Sequence, residues 1–244
     1  EDYYLTQNIS ETPASLVFLA GKFNDNQNYA VKALKRDEML LNELSFQRFE
    51  REVQLLSEIQ HPNIIKILSY GMTEHGIPYY VMPYMEGADL NHKLESIEHN
   101  DFIDVMLQVC DAINFLHSKK IIHRDLKPHN IVINGNQATL IDYGTVLTPD
   151  SELTRDNCLI GTPNYMAPEC FTDSHQINYQ ADYFSLGAII YKYTYKRSPY
   201  NGKNVYDTLS KIAYTDENDL FEGSTFDPVL KKLITNPFLA RRMV

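Results

Sequence analysis

The segment Ile122-His123-Arg124-Asp125-Leu126-Lys127-Pro128-His129-Asn130 is a dense run of charged and polar side chains between two apolar stretches of the chain. The packing of a core does not require such a run, because burial of charge is costly unless each charge is paired. The binding of a phosphate group or a metal ion does require charged and polar groups in one place. We therefore expect the functional site of this protein to be built around this segment.

The segments on either side predict a helix and a hairpin. Before the polar run, apolar residues recur at helical spacing, and Asn100-Asp101 is a plausible cap and dipole partner at the helix start. After the run, residues 131–133 and 138–141 flank Asn134-Gly135-Asn136, which is a typical hairpin turn. The apolar stripe predicted for the helix consists of Ile103, Met106, Leu107, Cys110 and Ile113.

The rest of the chain predicts strands first and helices later. Residues 16–20 and 29–33 flank a turn at residues 24–28, a helix with apolar Phe46, Phe49, Val53, Leu56 and Ile59 follows, and strands are expected at 65–70 and 77–82. From residue 181 onward the pattern is mainly helical. The predicted fold class is α+β, with a strand-rich N-lobe (1–82), a hinge (83–88) and a helical C-lobe (89–244).

Composition excludes several classes of protein. A hydrophobic share of 43% in 244 residues supports a real core, and a net charge of −10 argues against a general nucleic-acid binder. Three cysteines without paired spacing predict neither a disulfide framework nor a zinc site, so a reducing, cytoplasmic compartment is expected. No secretory signal and no membrane span is visible, and the ten glycines are few.

A carboxylate and a cation stand out in the strand-rich half. Glu52 falls on the apolar face of its predicted helix, and Lys32 lies inside the strand Tyr29-Ala30-Val31-Lys32-Ala33. A buried carboxylate needs a cation, so a Lys32–Glu52 ion pair is expected. The alternative is that Glu52 reaches solvent and that Lys32 lies on a sheet edge.

Taken together, these elements and three more resemble the eukaryotic-type protein kinases, in their serine/threonine-specific branch. The additional elements are Asp142-Tyr143-Gly144, the segment from Gly161-Thr162-Pro163 to Pro168-Glu169, and Asp182 to Gly187. Their joint order carries the resemblance, whereas each alone is weak. The resemblance implies a bilobal kinase fold, the use of ATP and Mg²⁺, and protein substrates that bear Ser or Thr.

The family's roles carry over to matching positions. Lys32 would hold the α- and β-phosphates and be fixed by Glu52, Asp125 would accept the substrate's proton, and Lys127 would neutralise the transferred phosphoryl group. Asn130 and Asp142 would bind Mg²⁺, and Thr162 would help to place the phosphoryl group. Asp182 would anchor the backbone of the catalytic loop, and its position at a helix start also suits a helix N-cap or a first-turn acid. The implied adenine and ribose contacts are Ile9, Val17, Ala30, Met82, Pro83, Met85, Asp89 and Val132.

The phosphate-binding loop departs from the family. Its glycine positions are occupied by Ser10, Thr12 and Ser15, so the loop is expected to be stiffer without being blocked, and either slower turnover or weaker ATP affinity is expected. This leaves a nucleotide-binding or scaffolding pseudokinase as an alternative to the active enzyme, and a small-molecule kinase as a more distant one. Many kinases that prefer basic substrates carry acids at the positions of His129 and Lys192. These two residues therefore argue against a preference for arginine upstream of the target residue.

The segment from Asp142 to Glu169, which the resemblance identifies as the activation segment, yields a prediction about phosphorylation. Cys158 stands where an activating phosphate is common, and Thr154 is the nearest upstream hydroxyl. We predict that full activity either needs no phosphate in this segment or uses Thr154. Mass spectrometry of the active protein tests this. A phosphate elsewhere in the segment, together with loss of activity on its removal, would contradict it.

Overall fold

The computed structural model describes residues 3–12, 15–35, 53–54, 56–142, 162–172, 177–215 and 220. The chain divides into two compact units, Glu1–Ala88 with Val132–Gly144 and Asp89–Ile131 with Thr145–Val244. The first unit is mainly β-sheet and the second mainly helix. The α+β class expected from the sequence is confirmed.

Five strands of the first unit form one antiparallel sheet in the order β1-β2-β3-β5-β4. Their bounds are β1 Tyr3–Glu11, β2 Ser15–Lys22, β3 Asp25–Leu34, β4 Ser69–Met72 and β5 Pro78–Pro83. The strands around 16–20, 29–33 and 77–82 are therefore confirmed. The turn predicted at 24–28 is shorter, with residues 23–24 at its tip and Asn24 at φ 63°.

One face of this sheet packs its own small core. Alternate residues of neighbouring strands, Ala20, Tyr29, Val31 and Val81, are buried together, and Tyr3 and Tyr79 cover them. The rings of Tyr3 and Tyr29 meet edge to face at 5.2 Å. Because side chains alternate along a strand, the residues between them point to the opposite face.

One sequence expectation in this unit was wrong, and one strand was not predicted. The strand predicted at 65–70 begins only at Ser69, because Ile65 and Leu68 donate their N–H groups to Leu140 and Val81 outside any regular ladder. Strand β1 was not assigned from the sequence at all, since its residues are almost all exposed and lack an alternating apolar pattern. Val53, Leu56 and Ile59 of the predicted helix are buried.

The predicted hairpin is present as β7 (Ile131–Asn134) and β8 (Gln137–Leu140), in a three-stranded sheet of order β6-β7-β8 with β6 at Ala88–Asp89. Gly135 lies in its turn at φ 58°. The hairpin is tied to the chain before β4: Asn63 Nδ2 donates to Ala138 O at 2.7 Å, and Leu140 N donates to Asn63 O at 2.9 Å. This attachment fixes where the chain leaves β8.

The helices of the second unit surround a largely apolar interior. Their bounds are α1 Leu90–Lys93, α2 His99–Ser118, α3 Glu169–Thr172, α4 Gln180–Tyr195 and α5 Val205–Tyr214, with short 3-10 helices at Pro128–Asn130 and Pro163–Tyr165. Phe184, Tyr191, Tyr200 and Ile212 are at most 2% exposed and form one cluster. No helix of the described residues is both long and apolar enough to cross a membrane.

Helix α2 is present, but its buried face differs from the predicted stripe. Ile103 and Leu107 are 42% and 62% exposed, whereas Met106 and Ile113 are buried as expected. The true stripe lies one residue away and includes Phe102, Val105, Val109, Ala112 and Leu116. The sequence carries apolar residues on both sides of this helix, so periodicity alone did not resolve the face.

The predicted start of α2 also requires correction. Glu98 is the N-cap residue and its side chain makes no capping hydrogen bond, so Asn100 lies inside the helix. Asp101 does lie in the first turn, where a carboxylate interacts favourably with the helix dipole. Lys119 is the C-cap residue.

Gly87 provides a stability prediction. It has φ 129°, and a Cβ at this position would lie 2.2 Å from Ile133 O of β7. We expect Gly87→Ala to lower the free energy of unfolding by about 3 kcal/mol, through backbone strain and steric conflict together. Gly76→Ala is the matched control, since Gly76 has φ 73° with nothing within 4 Å of the added Cβ. Equal losses in urea titrations of the two variants would contradict the steric argument.

Candidate functional site

The polar segment of the second unit is held by a fully buried carboxylate. Asp182, in the first turn of α4, is 0% exposed, and its two oxygens accept the backbone N–H groups of His123 and Arg124, each at 2.9 Å. Arg124 has φ 67°, a conformation that costs energy for a residue with a side chain. The carboxylate therefore stabilises an otherwise unfavourable bend directly before Asp125. Asp182 is not the N-cap, which is Tyr179.

A histidine that sequence reasoning missed completes this anchor. His117 Nε2 lies 2.7 Å from Asp182 Oδ2, and the two side chains are 8% and 0% exposed. The imidazole packs against the rings of Tyr179 and Tyr183, with ring centres 4.5 Å and 5.3 Å away. The only available sequence signal was its position next to buried Leu116, at the end of α2.

Asp125 lies at the centre of the predicted catalytic residues. Its Oδ2 accepts from Lys127 Nζ at 2.6 Å and from Asn130 Nδ2 at 3.3 Å. Asn130 Nδ2 also donates to Asp125 O at 2.9 Å, which closes the loop on itself. The backbone N–H of Thr162 donates to Asp125 Oδ1 at 3.2 Å. The structure thus brings Asp125, Lys127, Asn130 and Thr162 together in one unit.

The segment after Thr162 is fixed to helix α4. Pro163–Tyr165 forms a 3-10 helix, and Ser185 Oγ donates to Tyr165 O at 2.7 Å. Burial raises the pKa of Tyr165 to about 12, so its hydroxyl is neutral at physiological pH. Burial, followed by the charge of Glu169, also raises the pKa of Cys170 to about 12, which keeps this thiol protonated and unreactive.

The first unit contributes an ion pair between a buried lysine and a partly exposed aspartate. Lys32 is 7% exposed, and its Nζ donates to Asp142 Oδ1 at 2.7 Å. Asp142 follows β8 by two residues, so the bonds of Asn63 to the hairpin also position this carboxylate. The ammonium lies 5.7 Å from the centre of the Tyr80 ring. Glu52, the partner expected from the sequence, lies outside the described residues, and that pairing stays a prediction.

The sheet register places several of the predicted adenine contacts on one face. Val17 and Tyr80 are paired with Lys32 on either side, and Ala30 is paired with Met82. Cross-strand partners share a face, so these side chains line the surface from which Lys32 projects. Ala30, Met82 and Val132 are buried, while Ile9 on β1 is 38% exposed.

The predicted hinge follows β5, which ends at Pro83. Tyr84 N donates to Asn28 O at 3.1 Å. No residue of the described part of the chain accepts from the Met85 N–H, which is the group expected to meet adenine. Asp89 is the N-cap of α1, and its carboxylate accepts from His92 N at 3.0 Å and contacts His92 Nδ1 at 2.7 Å. Its expected bond to ribose stays a prediction.

The three residues that replace the loop glycines have separate places. Ser10 lies within β1 and is paired with Val17. Thr12 and Ser15 bond to one another across the β1–β2 connection: Thr12 N donates to Ser15 O at 2.9 Å, and Ser15 N donates to Thr12 Oγ1 at 2.9 Å. Their hydroxyl oxygens are also 2.9 Å apart. The side chains of Thr12 and Ser15 therefore form hydrogen bonds with each other across the connection.

Other predicted residues lie outside the described part of the chain, namely Glu52, Tyr143, Gly144, Thr154, Cys158 and Gly161. Within the described ranges, no group of three or more His, Cys, Asp or Glu side chains is arranged to hold a metal ion. A site of one carboxylate and one amide, as expected from Asp142 and Asn130, would not form such a group. Both side chains offer the oxygen ligands that Mg²⁺ prefers.

Comparison with known proteins adds an independent finding. The protein kinase domain family matches residues 3–238. The chain is 31% identical over 243 residues to serine/threonine-protein kinase PknB of Mycobacterium leprae, which covers 91% of this chain and 38% of that protein. It is 32% identical over 197 residues to serine/threonine-protein kinase pkn3 of Myxococcus xanthus, covering 75% of this chain and 36% of the relative. The chain thus spans little more than a third of the length of these relatives.

The Asp182 anchor leads to a stability prediction. In Asp182→Asn, an NH₂ group replaces an oxygen that accepts a backbone N–H, and the buried donor loses its partner. We expect the free energy of unfolding to fall by about 2 kcal/mol, measured by urea titration. Asp101→Asn is the control, since Asp101 is exposed in the first turn of α2, and there we expect a loss below about 1 kcal/mol. Similar losses in both would contradict the anchoring role.

Proposed function

The chain belongs to the protein kinase family, in its serine/threonine branch, and from this we propose that it transfers the γ-phosphate of Mg-ATP to serine or threonine hydroxyls of protein substrates. The observation that carries the proposal is the Asp125 carboxylate with its three bonded partners, Lys127, Asn130 and the Thr162 N–H. We propose the same activity for any longer protein that contains this chain.

Asp125 is proposed to accept the proton of the substrate hydroxyl. Its side chain is 13% exposed, and its Oδ2 and Oδ1 are oriented by bonds from two directions. A base held in one orientation reduces the entropy that must be lost on the way to the transition state. The Asp182 anchor contributes by fixing the backbone immediately before this residue.

Two lysines are proposed to supply positive charge. Lys127 Nζ is already beside Asp125, so it can meet a phosphoryl group that approaches the substrate oxygen. Lys32 is held by Asp142 on a largely buried sheet face, where a cation interacts strongly with phosphate because water is scarce. In both cases the acid orients the lysine before the nucleotide arrives.

Asn130 and Asp142 are the proposed Mg²⁺ ligands. Because the Asn130 amide nitrogen donates to Asp125, its Oδ1 is the atom that would meet the ion. Mg²⁺, when bound, would neutralise charge on the ATP phosphates. Ile9, Val17, Ala30, Met82, Pro83, Met85 and Val132 are proposed to contact adenine, Asp89 the ribose, and Ser10, Thr12 and Ser15 the phosphates.

A nucleotide-binding or scaffolding pseudokinase is the second candidate. The self-bonded Thr12–Ser15 connection favours it, because those donors are already used. The intact bonding of Asp125 and of Lys32 favours the active enzyme. The free thiols of Cys110 and Cys170, within the described residues, support the proposal of a reducing, cytoplasmic location.

The activity is tested by removing the proposed base. We expect Asp125→Asn to lower phosphate transfer to a generic Ser/Thr protein about 10³-fold, because the amide cannot accept the proton. The rate is measured with labelled ATP and Mg²⁺. The matched control is Asp104→Asn, an exposed acid on α2, for which we expect an unchanged rate.

The same proteins distinguish the two candidates. ATP with Mg²⁺ should raise the melting temperature of the wild type and of Asp125→Asn alike, and Lys32→Met should abolish that rise. If wild type and Asp125→Asn are equally inactive while ATP still raises both melting temperatures, the pseudokinase is correct and the transfer activity is not.

A further inference from the structure

Lys192 is a half-buried cation whose hydrogen-bond partners among the described residues are neutral groups. It lies in the last turn of α4, where its Nζ donates to Asn91 Oδ1 at 2.8 Å and to Tyr165 OH at 3.2 Å. Its ammonium lies 5.9 Å from the centre of the Tyr165 ring. Among the described residues, no carboxylate comes within the 4.0 Å of an ion pair with it.

This environment leaves the charge of Lys192 incompletely compensated. Burial lowers its pKa, and the more distant Glu95 only partly opposes that effect. Tyr165 provides no negative charge, because its own pKa is raised to about 12. A partly desolvated cation without an anion is unfavourable, and an anion that arrives from outside would be stabilised by it.

The elements around Lys192 are those that surround Asp125. Tyr165 closes the 3-10 helix that begins one residue after Thr162, and Thr162 N–H bonds to Asp125. Asn91 lies in α1, which packs against the 3-10 helix Pro128–Asn130 of the catalytic loop. Lys196 Nζ, which donates to Leu94 O at 2.9 Å, fixes the end of α1 to the end of α4.

Further basic side chains lie in the same region, and we call Lys127, His129, His92 and Lys192 the basic cluster. Burial is the first cause that lowers the pKa of His129, and the charges of Lys127, Lys192 and His92 act in the same direction. Asp89 opposes them, but its carboxylate is already engaged by His92. Lys127 is paired with Asp125 and His92 contacts Asp89, so among the described residues Lys192 is the cation of the basic cluster that has no carboxylate partner.

We propose that Lys192, with His129 in the same region, binds an anionic side chain of the peptide substrate close to the target hydroxyl. The ligand is an aspartate or glutamate carboxylate or a phosphorylated residue, since both present oxygens to an ammonium group. This proposal rests on the proposed kinase function and specifies its substrate class. Lys192 determines specificity by strengthening the binding of the peptide in the ground state. It takes no part in the transfer step.

The test measures peptide binding separately from transfer. Fluorescent peptides in which alanine replaces the target residue carry Asp, phosphoserine, Ala or Arg at each flanking position, and their anisotropy is titrated with the chain. At the best position we expect the Asp and phosphoserine peptides to bind about tenfold more tightly than the Ala peptide, and the Arg peptide more weakly. Parallel transfer assays use the same peptides with serine restored.

Variants assign the effect to Lys192. Lys192→Met should abolish the preference for anionic peptides, Lys192→Arg should retain most of it, and His129→Asn should reduce it. Lys66→Met removes one exposed lysine from the other unit and should leave the preference unchanged. In transfer assays Lys192→Met should raise KM for the anionic peptide about tenfold and leave kcat, and KM for the Ala peptide, within about twofold.

The outcomes separate this proposal from the function on which it rests. Equal binding of all peptides by the wild type, or an anionic preference that survives Lys192→Met, overturns the proposal even if transfer is observed. A preference lost in Lys192→Met and kept in Lys192→Arg, with no transfer to any peptide, upholds the anion site and rejects the kinase function. Melting temperatures of the variants establish that each chain is folded.

Discussion

The buried carboxylate of Asp182 is the interaction on which the proposed catalytic residues depend. This carboxylate has no contact with solvent. Two backbone N–H groups and one imidazole nitrogen take the place of the water molecules that would otherwise solvate it. A carboxylate so enclosed is stable only while those donors remain in place. The dependence is mutual, because the same donors belong to a backbone bend at Arg124 that is unfavourable alone. Helix α4, the end of α2 and the polar segment are therefore fixed as one structure.

The two units use one principle at different places: an acid orients a lysine. In the second unit Asp125 holds Lys127, and in the first Asp142 holds Lys32. Each pair is partly removed from water, so the attraction is stronger than on an open surface. No acid within the described ranges pairs with Lys192 in this way, so its charge is less fully compensated than those of the other two lysines.

The sequence grouped several residues of the proposed site that lie close together in the structure, but it placed some element boundaries and one helix face incorrectly. Asp125, Lys127, Asn130 and Thr162 were expected together, and they are bonded to one another. Their chemistry is local in the sequence or carried by characteristic strings, so no three-dimensional knowledge was needed. His117 was missed, because its importance comes from a residue 65 positions away. The face of α2 was assigned wrongly for a similar reason, since the partner that buries Phe102 is the ring of Tyr193 in another helix.

The self-bonded connection between β1 and β2 has a thermodynamic consequence for any ligand that it covers. Thr12 and Ser15 already satisfy one another, so a ligand that approaches them would exchange hydrogen bonds instead of adding new ones. The same bonds restrict the backbone before binding, so less conformational entropy remains to be lost. A glycine-rich connection differs in both respects: binding gains more enthalpy from new hydrogen bonds, and the backbone loses more conformational entropy. Calorimetry of this chain should therefore reveal a comparatively small binding enthalpy, offset by a comparatively small entropic penalty.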